Sequence, residues 1–134
     1  MVYVTRRETF NAAHRLFNPK FSDEENLRIF GKCSNPNWHG HNYVLEVVVK
    51  GEINESTGFV INQNDLKKII NEKIIDKMDH KNLNIETDFM KDVIPTSENI
   101  VIAIWGQLVN EIKQGELFSV KLYETEKNYF EYRG

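Results

Sequence analysis

A single cysteine among 134 residues leaves no partner for a disulfide within the chain. A lone thiol fits a reducing compartment. Prolines number only three, and no stretch is rich in proline, glycine or serine, so no linker or low-complexity tract divides the sequence. A basic excess is also missing. Seventeen Lys and Arg against twenty Asp and Glu leave a net charge of −3, which argues against the clustered basic face of a nucleic-acid binder. A small phosphorylated ligand stays compatible with that balance, because a few local basic residues suffice to hold it. Long hydrophobic runs are absent as well. The longest, 44–49 (broken by Glu46) and 100–105, fall far short of the roughly 20 residues of a membrane span. Arg6, Arg7 and Glu8 interrupt the start, so no apolar core of a secretory leader follows. Apolar residues are 40% and charged residues 28%, the ordinary balance of a globular protein. The expectation is a cytoplasmic protein with one domain, residues 1–134, large enough to bury a core without cross-links.

What is present is strong periodicity. Residues 2–14 alternate as a strand, with Val2, Val4, Phe10, Ala12 and, if no bulge intervenes, His14 on one parity. Ser22 and Glu25 form a capping-box signature for a short helix that stops at Gly31. Residues 41–50 read as a strand, and 59–61 as a short one. Residues 65–78 carry Leu66, Ile69, Ile70, Ile74 and Met78 on one helical stripe. A further helix starts after Pro95, capped by Thr96 or Ser97, with Glu98 in its positive first turn and Gly115 at its end. Residues 117–124 and 128–132 read as a closing hairpin. The pattern predicts an α+β fold: a four-stranded antiparallel sheet with two helices packed on one face. Apolar residues such as Val44 and Val48 also mark the other face, which predicts burial in an oligomer.

The chemistry concentrates in KCSNPNWHGHNY, residues 32–43. His39 and His41 stand at i and i+2, on one face if the strand begins that early. Gly40 between them allows close backbone approach. With His14 from a neighbouring strand they would make a three-histidine site, which leaves zinc an open coordination position. The plain alternative is two packed histidines. A second alternative adds Cys33 as a fourth ligand and closes a structural zinc site. Cys33 follows a helix C-terminus, which does not favour a thiolate, so any activation must come from elsewhere. Asp79 and His80 are adjacent at the end of the 65–78 helix. Such a pair can orient an imidazole for acid–base work, or can simply be a charged helix end. Glu124 shares parity with Val120 and Leu122, so it faces the buried side unless the strand has already ended. A buried carboxylate there needs a partner, and two adjacent N–H donors of a ligand would satisfy it bidentately.

Together these segments resemble the 6-pyruvoyltetrahydropterin synthase and 6-carboxytetrahydropterin synthase family. The resemblance runs nearly end to end: FNAAHRL at 10–16, FGKCSNPNWHGHNY at 30–43, GEINESTGFVINQNDLK at 51–67, MDHKNLN at 78–84, PTSEN at 95–99 and KLYETEKN at 121–128. It implies zinc held by His14, His39 and His41, and a proton-abstracting thiolate at Cys33. Asp79 and His80 would act as its relay partners, supplied across a subunit interface. Glu124 would anchor the pterin ring, with Thr96, Ser97 and Glu98 lining the same pocket. The implied substrate is 7,8-dihydroneopterin triphosphate. The implied fold is the tunnelling fold, in which trimers close a twelve-stranded barrel and two trimers stack into a hexamer. Five residues, SNPNW, separate Cys33 from His39, as in the eukaryotic-type enzymes that form 6-pyruvoyltetrahydropterin. The rival reaction yields 6-carboxytetrahydropterin and acetaldehyde for deazapurine (queuosine) synthesis. A non-catalytic zinc or pterin-binding module is the more distant alternative. Trp38 departs from the glycine of the eukaryotic-type pattern, and Ser97 stands where threonine is common. The chain starts directly on its first strand, which implies no regulation through an N-terminal extension. Arg15, Lys20, Arg28 and Lys32 lie near the site in sequence as candidates for the triphosphate.

Overall fold

Thirteen residues, Val2–His14, form strand β1, and Phe10, Ala12 and His14 on its inward parity are buried. β2, His39–Gly51, pairs antiparallel with β1 along its whole length in the computed structural model, which describes all residues 1–134. The register sets Phe10 opposite Tyr43, Ala12 opposite His41 and His14 opposite His39. Residues directly opposite each other in an antiparallel pair share a face. All three histidines therefore emerge on the same side as Tyr43, Leu45, Val47 and Val49, none of which has any exposed surface. β2 begins at His39 itself, so the parity argument for HGH holds.

Helices cover that inner face. α1, Asp23–Phe30, lies between β1 and β2 in sequence, and Ser22 caps it by accepting from the Glu25 N–H at 3.1 Å. The reciprocal half of the capping box is not formed, because the Glu25 carboxylate pairs with Arg28 at 2.7 Å instead. Cys33 follows in a 3₁₀ turn, Gly31–Ser34. α2, Gln63–Ile70, runs without a break through a π-helical turn, Asn71–Ile75, into α3, Asp76–Met78. Leu66, Ile70, Ile74 and Met78 stay on the buried stripe throughout. α4, Ser97–Leu108, is capped by Thr96 and adds Ile100, Ile104 and Leu108 to the same core. Burial of each such side chain contributes about 1.5–3 kcal/mol, so packing on the sheet holds these helices rather than intrinsic propensity.

The sheet has five strands, not four, in the order β3-β1-β2-β4-β5. β4, Glu116–Tyr123, pairs with β2, and β5, Tyr129–Tyr132, completes the hairpin. The additional strand, β3, is only Lys81–Asn82 and runs parallel to β1. It arises because the chain leaving α3 is stitched to β1: His80 N donates to Asn11 O at 2.7 Å and Leu83 N to Ala13 O at 2.8 Å. Two residues carry no readable alternation, so the sequence could not announce it.

No strand forms at 59–61. β1 and β4 take both edges of β2, and the segment joins neither free edge of the sheet. Val60 and Ile61 are buried as apolar plugs instead. Gly115 does not end α4, which stops at Leu108. It turns the chain into β4 at φ +72°, where an added Cβ would sit 2.8 Å from the Lys50 carbonyl oxygen. No helix is long and apolar enough to cross a membrane.

Candidate metal centre and its surroundings

His14, His39 and His41 converge at the end of the β1–β2 ladder, and their ligand nitrogens all lie within 4.8 Å of one another. The ring centroids of His14 and His39 are 4.5 Å apart, and His41 is 5.1 Å from each. His14 is fully buried, and its Nδ1 is 2.9 Å from the Pro95 carbonyl oxygen. A carbonyl can only accept, so Nδ1 carries the proton and Nε2 keeps its lone pair. That Nε2 has no protein partner, nor has either ring nitrogen of His39, nor His41 Nε2. Four buried, unpartnered nitrogens in one small volume are costly unless something occupies them. Three imidazoles are a donor set for a metal ion, and the Pro95 carbonyl is the outer partner that orients such a ligand.

Burial of His14 and His39 favours the neutral, metal-binding form. Burial pushes His14 down to about 4, outweighing the Pro95 bond that raises it. Burial and then the neighbouring His41 also lower His39. Unfolded His14 titrates near 6.5, so between the two values the unfolded chain binds more protons than the folded one, and acid destabilises the fold. For the metal-free protein His14 alone should remove about 3 kcal/mol between pH 7 and pH 4, at about 1.36 kcal/mol per pKa unit. Urea unfolding at the two pH values should show this loss, and His14→Asn should shrink it.

Tyr43 supports the triad from below. It is fully buried, stacks on Phe10 at 4.9 Å and places its hydroxyl 3.3 Å from His14 Nδ1. Burial drives its pKa strongly upward, and the Glu124 carboxylate and the Cys33 sulfur add to that shift, so both lie near it. Sequence reasoning assigned Tyr43 no part in the site. Its parity with the two histidines was the available signal.

Cys33 lies outside the close group of metal donors, which contains the three histidines alone. This counts against the closed four-ligand site. Its turn is anchored by the backbone: Leu16 N donates to Cys33 O at 2.8 Å, and Arg15 Nε to Ser34 O at 2.8 Å. The thiol is half-buried and takes no part in these bonds.

Glu124 stands one residue beyond the end of β4, yet it is not released to solvent. The buried Ser97 hydroxyl donates to Oε2 at 2.7 Å, and Oε1 is 3.6 Å from His41 Nε2. One oxygen is thus held while the other faces the histidines. Ser97 therefore meets Glu124, whereas Thr96 is occupied as the α4 cap and Glu98 is exposed.

Asp79 and His80 form a pair, Nδ1 to Oδ2 at 2.8 Å. Asp79 also accepts from Asn11 N at 3.0 Å, which with His80 holds its carboxyl below the usual range. His80 has a left-handed backbone, φ +60°, and a mostly exposed side chain. It lines an open hollow with Asn11, Gly40, His41 and Asn42. Cys33 is not among the residues of that hollow.

Trp38, immediately before His39, has φ +67°, a conformation that costs a non-glycine residue about 1–2 kcal/mol. A comparison of Trp38→Gly with Trp38→Ala isolates that cost, since both remove the ring. The glycine variant should be the more stable of the two by about 1 kcal/mol in urea unfolding.

A family model described as 6-pyruvoyl tetrahydropterin synthase matches residues 3–134. A 6-pyruvoyl tetrahydrobiopterin synthase of Pongo abelii is 50% identical over 131 residues, covering 98% of this chain and 90% of that protein. The solved structure of the Caenorhabditis elegans 6-pyruvoyl tetrahydropterin synthase superposes with a TM-score of 0.93 at 41% identity, covering 99% of this chain and 95% of that one. A protein of Archaeoglobus fulgidus described as a putative 6-carboxy-5,6,7,8-tetrahydropterin synthase is 34% identical over 125 residues, covering 93% of this chain and 90% of that protein.

Proposed function

Because the chain belongs to the 6-pyruvoyl tetrahydropterin synthase family, we propose that it is a lyase converting 7,8-dihydroneopterin triphosphate to 6-pyruvoyltetrahydropterin with elimination of triphosphate. The observation that carries this reading is the convergence of three unpartnered imidazoles beside a carboxylate held by Ser97, with Cys33 outside the donor set. His14, His39 and His41 would hold zinc, whose open position suits a catalytic site. When bound there, zinc supplies Lewis-acid polarisation of the substrate's side-chain hydroxyls.

The protein's own groups do the rest. Glu124 accepts two N–H donors from the pterin's amino edge, which fixes the ring and aims its side chain at the histidines. Ser97 orients that carboxylate, and the first turn of α4, Thr96 to Glu98, borders the ring. The Cys33 thiolate removes a carbon-bound proton from the side chain. His80, oriented by Asp79, passes protons to and from the site. The side-chain diol becomes a diketone while the ring gains the two hydrogens, so no redox cofactor is consumed, and triphosphate leaves.

Asp79 and His80 can serve this site from a second copy. The first ten or so residues of β1 have no neighbour on their free edge, since β3 covers only Ala12 and Ala13. The outer face leaves Val44 and Val48 half-buried. A homo-oligomer of the tunnelling-fold type, a trimer or two stacked trimers, would cover both. The domain is the whole chain, and its place is the cytoplasm.

The test is a product assay with the zinc-loaded protein and dihydroneopterin triphosphate, read by mass spectrometry. The expected product is 6-pyruvoyltetrahydropterin without acetaldehyde. Formation of 6-carboxytetrahydropterin, the product in the name of the archaeal relative, together with acetaldehyde would move the protein to deazapurine synthesis. No turnover with zinc bound would leave a pterin-binding module.

A further inference from the structure

Of the four basic residues near the site in sequence, the fold separates two from the others. Arg28 is paired with Glu25 at 2.7 Å on the exposed side of α1. Lys20 lies in the loop before α1 and is not among the residues that line the hollow beside the Cys33 turn. Arg15 and Lys32 instead line one hollow of about 740 Å³ between α1, the Cys33 turn and the end of β1. Each stands next to a site residue in the chain: Arg15 follows His14, and Lys32 precedes Cys33.

The donors of this hollow are largely unused. Arg15 stacks on Phe17 at 4.1 Å and spends Nε on the Ser34 carbonyl, which fixes the guanidinium and leaves its terminal nitrogens free. Lys32 makes no ion pair. The side chain of Asn37 is likewise unpaired, while Asn35 Oδ1 accepts from Asn37 N at 2.8 Å. One acid, Asp23, faces the same space and leaves a net positive charge there. A fixed guanidinium fork, a mobile ammonium and amide donors are the equipment of a polyphosphate site.

We infer that this Arg15–Lys32 hollow holds the triphosphate tail of the substrate, an assignment that rests on the function proposed above. A pterin anchored at Glu124 lays its side chain across the histidines, and the tail then continues past Cys33 into the hollow. Arg15 has a second role, as the brace between the β1 end and the Cys33 turn. Lys32 binds charge only.

The test uses zinc-loaded Cys33→Ala protein, which binds without turning over, and calorimetry with two probes, dihydroneopterin triphosphate and unphosphorylated dihydroneopterin. The triphosphate should bind more tightly. Adding Lys32→Ala should weaken the triphosphate by about tenfold and leave dihydroneopterin unchanged, the loss of one charge-assisted contact. Lys20→Ala and Arg28→Ala should change neither. Equal binding of the two probes in the parent would overturn the inference, as would equal losses from Lys20 and Lys32, which would show only a diffuse field. Failure of both probes to bind would overturn the function itself. Normal binding of both with an inert Lys32 would leave that function standing and remove the hollow from it.

Discussion

Cys33→Ala is expected to lower kcat by about 10²–10⁴-fold, the usual worth of a positioned proton acceptor, while the protein keeps its metal. Both halves follow from geometry. The sulfur lies outside the cluster of histidine nitrogens, so its loss removes no donor. The turn that carries it is held through backbone and neighbouring side chains: Leu16 N to Cys33 O, Arg15 Nε to Ser34 O, and Ser34 Oγ to Gly31 O. None of these bonds uses the thiol, and alanine fits the same turn. Metal content by atomic absorption should therefore stay at the wild-type level, and the melting temperature should move little. His39→Ala provides the contrast, because it deletes a donor and should lose both metal and activity. Loss of metal from Cys33→Ala would revive the closed structural site and sink the assignment of Cys33 as base.

The two halves of the site differ in how far the sequence reveals them. The histidines were legible because strand parity is a local property. Once β2 starts at His39, His39 and His41 must share a face with Tyr43, and the full-length pairing of β1 brings His14 opposite. The amphipathic stripes of the helices were legible for the same reason. The supports were not. His14 is oriented by the carbonyl of Pro95, 81 residues away, and Asp79 is held by the backbone N–H of Asn11. A main-chain group carries no residue identity, so no pattern announces such a bond. Glu124 shows the limit of parity: its strand ends at Tyr123, and Ser97 rather than the ladder keeps the carboxylate at the site. Likewise β3 exists only because the chain after α3 docks on β1, and 59–61 buries Val60 and Ile61 without joining the sheet.

Mixing two inactive variants is expected to restore activity. Cys33→Ala removes the proposed base, and His80→Gln removes the proposed proton relay. Within one chain His80 lines an open hollow with Asn11, His41 and Asn42, and Cys33 is not among its residues. The relay proposed above would then act on the Cys33 of another copy. If each site joins Cys33 of one chain to Asp79 and His80 of the next, an equimolar co-refolded mixture has both groups intact in about a quarter of its sites, since each partner is correct half the time in a symmetric ring. Activity should rise from near zero in either parent to about 25% of wild type. If both groups served the same chain's site, every site in the mixture would carry one defect and nothing would be restored. His80→Gln keeps a hydrogen-bonding side chain at an exposed position, so misfolding does not confound the result. A control mixture of Cys33→Ala with the double variant, Cys33→Ala plus His80→Gln, should remain inactive. The recovery tests the relay assignment and the oligomer together, because a monomer has no second copy to lend its histidine.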